Sequence, residues 1–352
     1  MHCVILAGGS GTRFWPQSRS SHPKQLLELV SGNSLIRHTY DRLSKYKGSE
    51  AIYTIASQEL TTKIQEQLPQ LDDSHSFIEP AARNTAPAIA LAALILKKRH
   101  GDVVMGVFPA DHLIRQEKKF YQALDEAVAK TTSTDCLVTL GIQPTYPATG
   151  YGYVQFERQG KGDVHPVVAF TEKPDLQRAT DFLEGGSHLW NGGMFVWKVS
   201  TFLQQLAQHL PTTYNRLMAL ESLVDTPEFD LALQQAWPDV DAISVDYGIL
   251  EHSSSIFTVE ARFEWHDLGG WRALYDLLPK DQANNVVRGD VALLDTTNSL
   301  VMSNGKFTAV VGADNLIVIN TDDATLVLPK DQSERAGDVV GWLKSRERKE
   351  LL

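Results

Sequence analysis

The sequence predicts an α/β layer fold with a mixed, mostly parallel sheet, followed by a small C-terminal β domain. Three observations carry this reading. Short β-rich runs alternate with longer helical patterns up to about residue 275, a glycine-rich turn follows the first strand directly, and after Ala283-Asn284-Asn285 the texture changes to short β runs separated by Gly, Asn and Asp. Alternation of this kind is what a sheet covered by helices on its faces requires.

Strands are expected at residues 2–7, 51–56, 103–109 and 136–141, each a short apolar run. Between them, residues 35–46, 86–99 and 119–130 repeat apolar side chains at helical spacing and would cover the sheet. A second β-rich stretch occupies 152–156 and 167–171, and 190–197 adds another strand. Residues 199–238 are expected to form a packed pair of helices, with Leu203, Leu206, Leu210, Leu217 and Leu220 at the required spacing. The tail supplies β runs at 291–294, 300–302, 309–311, 316–320 and 325–328, whose rough recurrence suits a short solenoid or a small sandwich about equally. Residues 332–352 form a charged amphipathic terminal helix. The expected domains are 1–283 and 284–352.

The composition, 43% hydrophobic and 22% charged over 352 residues, is that of an ordinary globular chain of two domains. Apolar runs such as 86–96 stop well short of the ~20 residues a membrane span needs. The N-terminus lacks the basic region of a signal peptide and runs straight into a strand pattern, so a cytoplasmic protein with no membrane partner is expected. Cys3 and Cys136 lie in separate apolar runs and are expected to be reduced core residues. With 33 Lys and Arg against 43 Asp and Glu, a net charge of −10 argues against a nucleic-acid binder. Any phosphate is held locally.

Gly8-Gly9-Ser10-Gly11-Thr12-Arg13 is suited to that task. Glycines let backbone N–H groups approach phosphate oxygens, and Arg13 adds charge. The turn lacks the Gly-Lys-Ser/Thr ending of a Walker A loop, and Phe14 stands where a dinucleotide fingerprint wants glycine. Lys24, in Pro23-Lys24-Gln25, is near enough in sequence to return to the same phosphates. Asp111 ends the strand run at the carboxyl edge where α/β sheets gather ligands; from spacing alone it is equally an N-cap. Asn84-Thr85 likewise suits either a helix cap or contacts to a nucleotide.

The turn from Gly8 through Phe14-Trp15-Pro16, with Pro23-Lys24-Gln25, resembles the sugar-1-phosphate nucleotidyltransferases. Glu79-Pro80-Ala81-Ala82-Arg83-Asn84-Thr85-Ala86-Pro87-Ala88 resembles their mannose-1-phosphate guanylyltransferase branch. The resemblance runs through about the first 275 residues. It implies a Rossmann-like nucleotidyltransferase (GT-A-like) domain and a tail similar to a short left-handed β-helix, through which a homodimer would form. GTP and mannose 1-phosphate are the implied substrates and Mg²⁺ the implied cofactor. Arg13, Lys24 and Asp111 would be catalytic. Nucleotide contacts would come from Leu6, Ala7, Gly8, Gly9, Ser10, Gly11, Thr12, Arg13, Lys24, Glu79, Arg83, Asn84, Thr85, Pro109 and Asp111.

Sugar-phosphate contacts would come from Thr149-Gly150-Tyr151, from Glu172 and Lys173 of Glu172-Lys173-Pro174, from Asn191 of Asn191-Gly192-Gly193, and from Asp267. Asp111 and Asp267 are the implied metal ligands, while Asp246 and Glu251 would support the pocket from behind. Phe14, Gln17, Leu268 and Gly270 depart from the commonest family wording. Longer members carry a cupin-like isomerase domain, so no isomerase activity is expected here. Three alternatives stay open: the same chemistry on another sugar 1-phosphate such as a manno-heptose, a non-catalytic nucleotide-sugar-binding regulator, and a glycosyltransferase using Asp239-Val240-Asp241.

Overall fold

The computed structural model describes residues 1–9, 11–30, 32–159 and 162–352. In chain order the elements are β1 (His2–Leu6), α1 (Leu35–Ser44), β2 (Ala51–Ala56), α2 (Gln58–Gln67), β3 (Ser76–Ile78), α3 (Thr85–His100), β4 (Val104–Pro109), β5 (Leu113–Arg115), α4 (Glu117–Ser133), β6 (Leu137–Ile142), β7 (Tyr153–Phe156) and β8 (Val164–Thr171). There follow α5 (Leu176–Gly185), β9 (His188–Lys198), α6 (Val199–His209), α7 (Pro211–Met218), α8 (Phe229–Ala236), β10 (Ile256–Ala261), β11 (Glu264–His266) and α9 (Trp271–Leu277). The chain ends with β12 (Val286–Arg288), β13 (Val291–Leu294), β14 (Leu300–Ser303), β15 (Thr308–Val311), β16 (Leu316–Asn320), β17 (Thr325–Pro329) and α10 (Ala336–Ser345). Contacts divide it into two compact units: residues 1–8, 39–110 and 114–265, and residues 9–38, 111–113 and 266–352.

The first unit is built on a nine-stranded sheet in the order β3-β2-β1-β4-β9-β6-β10-β8-β7. Its first four strands are parallel. In the other half only β6 and β10 run parallel, and the remaining pairings are antiparallel. Cys3, Val4 and Ile5 of β1 are fully buried, the continuous apolar run of a strand covered on both faces. Both cysteines are buried and free of disulfides. From Ala86 to Leu96 every residue of α3 is buried, because a helix apolar all round has no side to give to water. Leu6 and Pro109 are register partners, so β1 and β4 deliver the chain side by side at their carboxyl ends. That edge is where a sheet of this type presents ligands.

Residues 199–238 form three α-helices and not the expected pair. Pro211 has no N–H to continue α6 but suits the first turn of α7, and Asp225 takes a left-handed φ of 67° that interrupts the next segment.

In the second unit β12, β14 and β16 stack in parallel. So do β13 and β15, and β17 closes the stack antiparallel to β16. Stacked parallel rungs are solenoid coils, not a sandwich. Buried Asn285 ties two coils together, donating to the Thr296 carbonyl at 2.7 Å and accepting from the Ser299 N–H at 3.0 Å. The core of this unit joins Leu300, Ile317 and Ile319 to Leu268, Trp271, Phe14 and Trp15. The expected terminal helix is α10 with a 3-10 turn on either side.

Candidate active site

In the second unit, the chain after the glycine turn is fixed by indoles. The Trp271 Nε1–H donates to the Trp15 carbonyl at 3.0 Å, and the Trp15 Nε1–H donates to the Leu351 carbonyl at 2.9 Å. Gly11 has φ 56°, and a Cβ there would collide with the Lys24 Cβ and come within 2.9 Å of its backbone nitrogen. Glycine is required for this close approach. Lys24 is buried, and its ammonium meets Asp111 Oδ2 at 2.8 Å and donates to the Asp267 carbonyl at 2.6 Å. Burial alone would push the Asp111 carboxyl up, but the Lys24 ammonium and His112 outweigh it and hold the carboxyl below its ordinary value. Asp111 is therefore ionised at neutral pH.

Asp267 Oδ1 accepts from the Gly269 N–H at 3.2 Å. Arg13 lies exposed on a 3-10 turn, Thr12–Phe14. Thus Lys24 gathers Asp111 and Asp267 around one cation, with Arg13 nearby in sequence. Ser10 lies outside the described residues.

The partly exposed carboxylate of Asp111 beside a fixed cation, with a second partly exposed carboxylate on the residue whose backbone carbonyl that cation also meets, fits Mg²⁺, which takes one or two protein carboxylates and completes its shell with water and substrate phosphates. Among the described residues no group of three or more His, Cys, Asp or Glu is arranged to cage an ion.

In the first unit the carboxyl end of β1 leads through Leu6 and buried Ala7 to exposed Gly8. Glu79 stands beside it, since a Cβ on Gly8 would lie 3.4 Å from Glu79 Oε1. Burial pushes the Glu79 carboxyl up to about 7. Asn84 is the N-cap of α3, with its Oδ1 accepting from the Thr85 N–H at 2.9 Å. Thr85 Oγ1 accepts from the Val245 N–H, and Arg83 donates to the Val240 carbonyl at 3.2 Å. The capping role of Asn84 is thus observed.

The residues expected on the sugar side form a second constellation in this unit. Lys173 Nζ and Glu172 Oε1 are 2.6 Å apart, and the Glu172 N–H donates to Glu251 Oε1 at 2.9 Å. A Cβ on Gly152 would collide with Glu172 Oε2. Asn191 Nδ2 donates to Asp246 Oδ1 at 2.8 Å, while Asn191 Oδ1 accepts from Thr139 Oγ1 at 2.8 Å and the Gly193 N–H at 3.2 Å. Burial and the neighbouring Glu172 push the Asp246 carboxyl up to about 6, against the pull of Lys173 and Asn191. Thr149 and Gly150 are exposed, and Tyr151 packs edge-on against Trp190 and Trp265.

Sequence reasoning passed over Thr139, whose signal is a hydroxyl in the middle of the otherwise apolar, fully buried β6. Asp239 pairs with Arg216 at 3.0 Å, and Thr213 donates to Asp241 at 2.7 Å. Both carboxylates of the Asp-x-Asp spacing are engaged with α7.

A buried lysine that holds the carboxylate of one aspartate and the backbone of a second, in the unit that also carries the glycine-rich chain after β1, is a charge arrangement suited to phosphate chemistry. A family model described as Nucleotidyl transferase matches residues 2–284, and one described as MannoseP isomerase/GMP-like beta-helix domain matches residues 289–343. The chain is 36% identical to a mannose-1-phosphate guanylyltransferase of Klebsiella pneumoniae, over 99% of this chain and 74% of that protein. It is 37% identical to the alginate biosynthesis protein AlgA of Pseudomonas aeruginosa, over 99% of this chain and 73% of that protein. A crystal structure of a mannose-1-phosphate geranyltransferase from Thermus thermophilus superposes with a TM-score of 0.86 at 29% identity, covering 97% of this chain and 99% of that one. The chain belongs to the mannose-1-phosphate guanylyltransferase family of nucleotidyl transferases.

Proposed function

We propose that the protein transfers GMP from GTP to mannose 1-phosphate, giving GDP-mannose and pyrophosphate. The observation that carries this is Lys24 holding Asp111 and the Asp267 backbone at 2.8 and 2.6 Å, within a chain of this family. In the reaction a phosphate oxygen of the sugar attacks the α-phosphorus of GTP. A new P–O bond forms, the bond to the β-phosphate oxygen breaks, and pyrophosphate leaves with its electrons. The sugar phosphate is already ionised, so no side chain need take a proton. The protein's task is to align the groups and to offset negative charge on the leaving group.

Lys24 and Arg13 supply fixed positive charge to the phosphates, alongside the backbone from Leu6 to Thr12. Asp111 and Asp267 would hold Mg²⁺, which when bound neutralises phosphate charge. The Glu79 carboxyl, in its ionised form, offers acceptors to the N1–H and amino edge of guanine, with Arg83, Asn84, Thr85 and Pro109 completing the nucleotide side. Thr149, Gly150, Tyr151, Glu172, Lys173 and Asn191 take the sugar phosphate, with Asp246 and Glu251 behind them. Residues 1–283 are the catalytic domain and 284–352 the β domain. A homodimer through the latter is supported by Leu294 and Val311, register partners in β13 and β15 that are 58% and 64% exposed. Two buried, unbridged cysteines support a cytoplasmic setting.

The test is pyrophosphate release with Mg²⁺ and mannose 1-phosphate, run in parallel with GTP, ATP, UTP, CTP and dTTP. Release with GTP alone is expected. Release with another nucleotide alone overturns the guanine assignment. No release with any, while GDP-mannose still binds, leaves a different sugar phosphate or a regulatory binder.

A further inference from the structure

Arg42 has no part in the chemistry above, yet it is a charged side chain in the interior, 4% exposed, in the second half of α1. Removing a guanidinium from water costs several kcal/mol unless geometry compensates. The compensation comes mainly from two directions. From α4, the ring of Phe120 lies 5.6 Å under the guanidinium, and Glu117 adds favourable charge. Tyr121 Oη also donates to the Arg42 carbonyl at 2.8 Å, which fixes this turn of α1. From α1 itself, Arg42 Nη2 donates to Thr39 Oγ1 at 3.1 Å.

Thr39 is fully buried, and its hydroxyl donates to the Ala110 carbonyl at 3.3 Å. A hydroxyl that accepts from a cation is polarised and donates more strongly onward. On the other side of the same residue, the Ala110 N–H donates to the Leu6 carbonyl at 3.0 Å. Both peptide planes of Ala110 are therefore held. The second is the Ala110–Asp111 peptide, whose orientation sets the starting direction of the Asp111 side chain.

We infer that Thr39 and Arg42 are positioning residues for Asp111: a buried guanidinium polarises a buried hydroxyl, which locks the carbonyl of the peptide that carries the metal-binding carboxylate. The inference rests on the reading of Asp111 as a metal ligand. Groups that orient metal-binding side chains influence affinity and rate even though they touch neither metal nor substrate.

The test uses the full chain with Thr39→Val, which keeps the shape and removes the donor, Thr39→Ser, which keeps the hydroxyl, Arg42→Met, and Asp111→Asn as reference. The readouts are affinity for Mn²⁺ alone, by electron paramagnetic resonance of the free ion, and kcat and KM for GTP. Thr39→Val is expected to weaken Mn²⁺ affinity and lower kcat about tenfold, with KM for GTP unmoved, and Thr39→Ser to restore both. Parental Mn²⁺ affinity and kcat in Thr39→Val, alongside their loss in Asp111→Asn, overturn the inference and leave the metal assignment standing. Unchanged Mn²⁺ affinity in Asp111→Asn overturns the metal assignment and the inference with it. Should Thr39→Val fail to fold, Arg42→Met reads the same relay, and parental Mn²⁺ affinity there overturns it.

Discussion

The Lys24 cluster and the Asn191–Asp246 network treat carboxylates in opposite ways. Around Lys24 the cation dominates, and Asp111 is held below its ordinary value despite burial. Around Asn191 burial dominates, reinforced by the neighbouring Glu172, and Asp246 is pushed up to about 6. A site for phosphates and a metal needs fixed charges of both signs that stay ionised throughout the working pH range. One for neutral hydroxyls needs acceptors in fixed directions, and it tolerates a carboxylic acid close to its own titration. Burial and charge thus set the two carboxylates apart, one fixed as an anion and the other near its own titration, as the phosphate and sugar roles proposed for them require.

The largest effect should come from breaking the first region. Lys24→Ala removes the cation that holds both Asp111 and the Asp267 backbone, and the loss of one preorganised charge at a developing anion costs about 10²–10³ in rate. Single-turnover pyrophosphate release is expected to fall at least that far, with the circular dichroism spectrum unchanged. A near-parental rate would remove Lys24 from the mechanism. Asp111→Ala is expected to behave alike, because each residue stabilises the charge of the other.

A smaller effect should appear on the sugar side. Gly152→Ala places a methyl group on Glu172 Oε2, so the carboxylate must turn away from its present place beside Lys173. The loss of a hydrogen bond to a charged group is worth roughly tenfold in binding. KM for the sugar phosphate should rise by about that factor while KM for GTP stays. Equal changes in both would mean that Glu172 does not distinguish the two substrates.

Much of this was legible in the sequence because it is local. A continuous apolar run makes β1, an all-apolar helix makes α3, and glycines after the first apolar run mark the carboxyl end of β1. The recurrence of β runs in the tail was legible too, but it suited a sandwich as well as the stacked coils that form. Less legible were features set by distant contacts. Nothing near residues 9–38 says that Trp15 bonds to the carbonyl of Leu351 and is buried with the β coils. The short α2 and β3 have too few apolar residues to stand out from loops. Thr139 and Thr39 each look like an ordinary core threonine until the partner of the hydroxyl is known, Asn191 for one and the carbonyl before Asp111 for the other.

The smallest effect sharpens the comparison through pH. Asp246 titrates near 6 in the folded protein against an ordinary value of 3.8. Between those values the folded state binds a proton that the unfolded state has released, so stability falls as pH rises through the interval. This group's contribution is fully present below 3.8 and gone above about 6. Asp246→Asn keeps the shape and has no charge to desolvate. Its melting temperature relative to the parent should therefore be more favourable at pH 7 than at pH 5, by roughly a degree or two. Groups common to both proteins, including Glu79, cancel in that difference. The same substitution at the Lys24 cluster, Asp111→Asn, should show no such narrowing, because the Asp111 carboxyl is ionised at both pH values. A flat difference for Asp246→Asn would mean that its carboxyl is as solvated as an ordinary surface acid, and the contrast between the two regions would then lie in the Lys24 cluster alone.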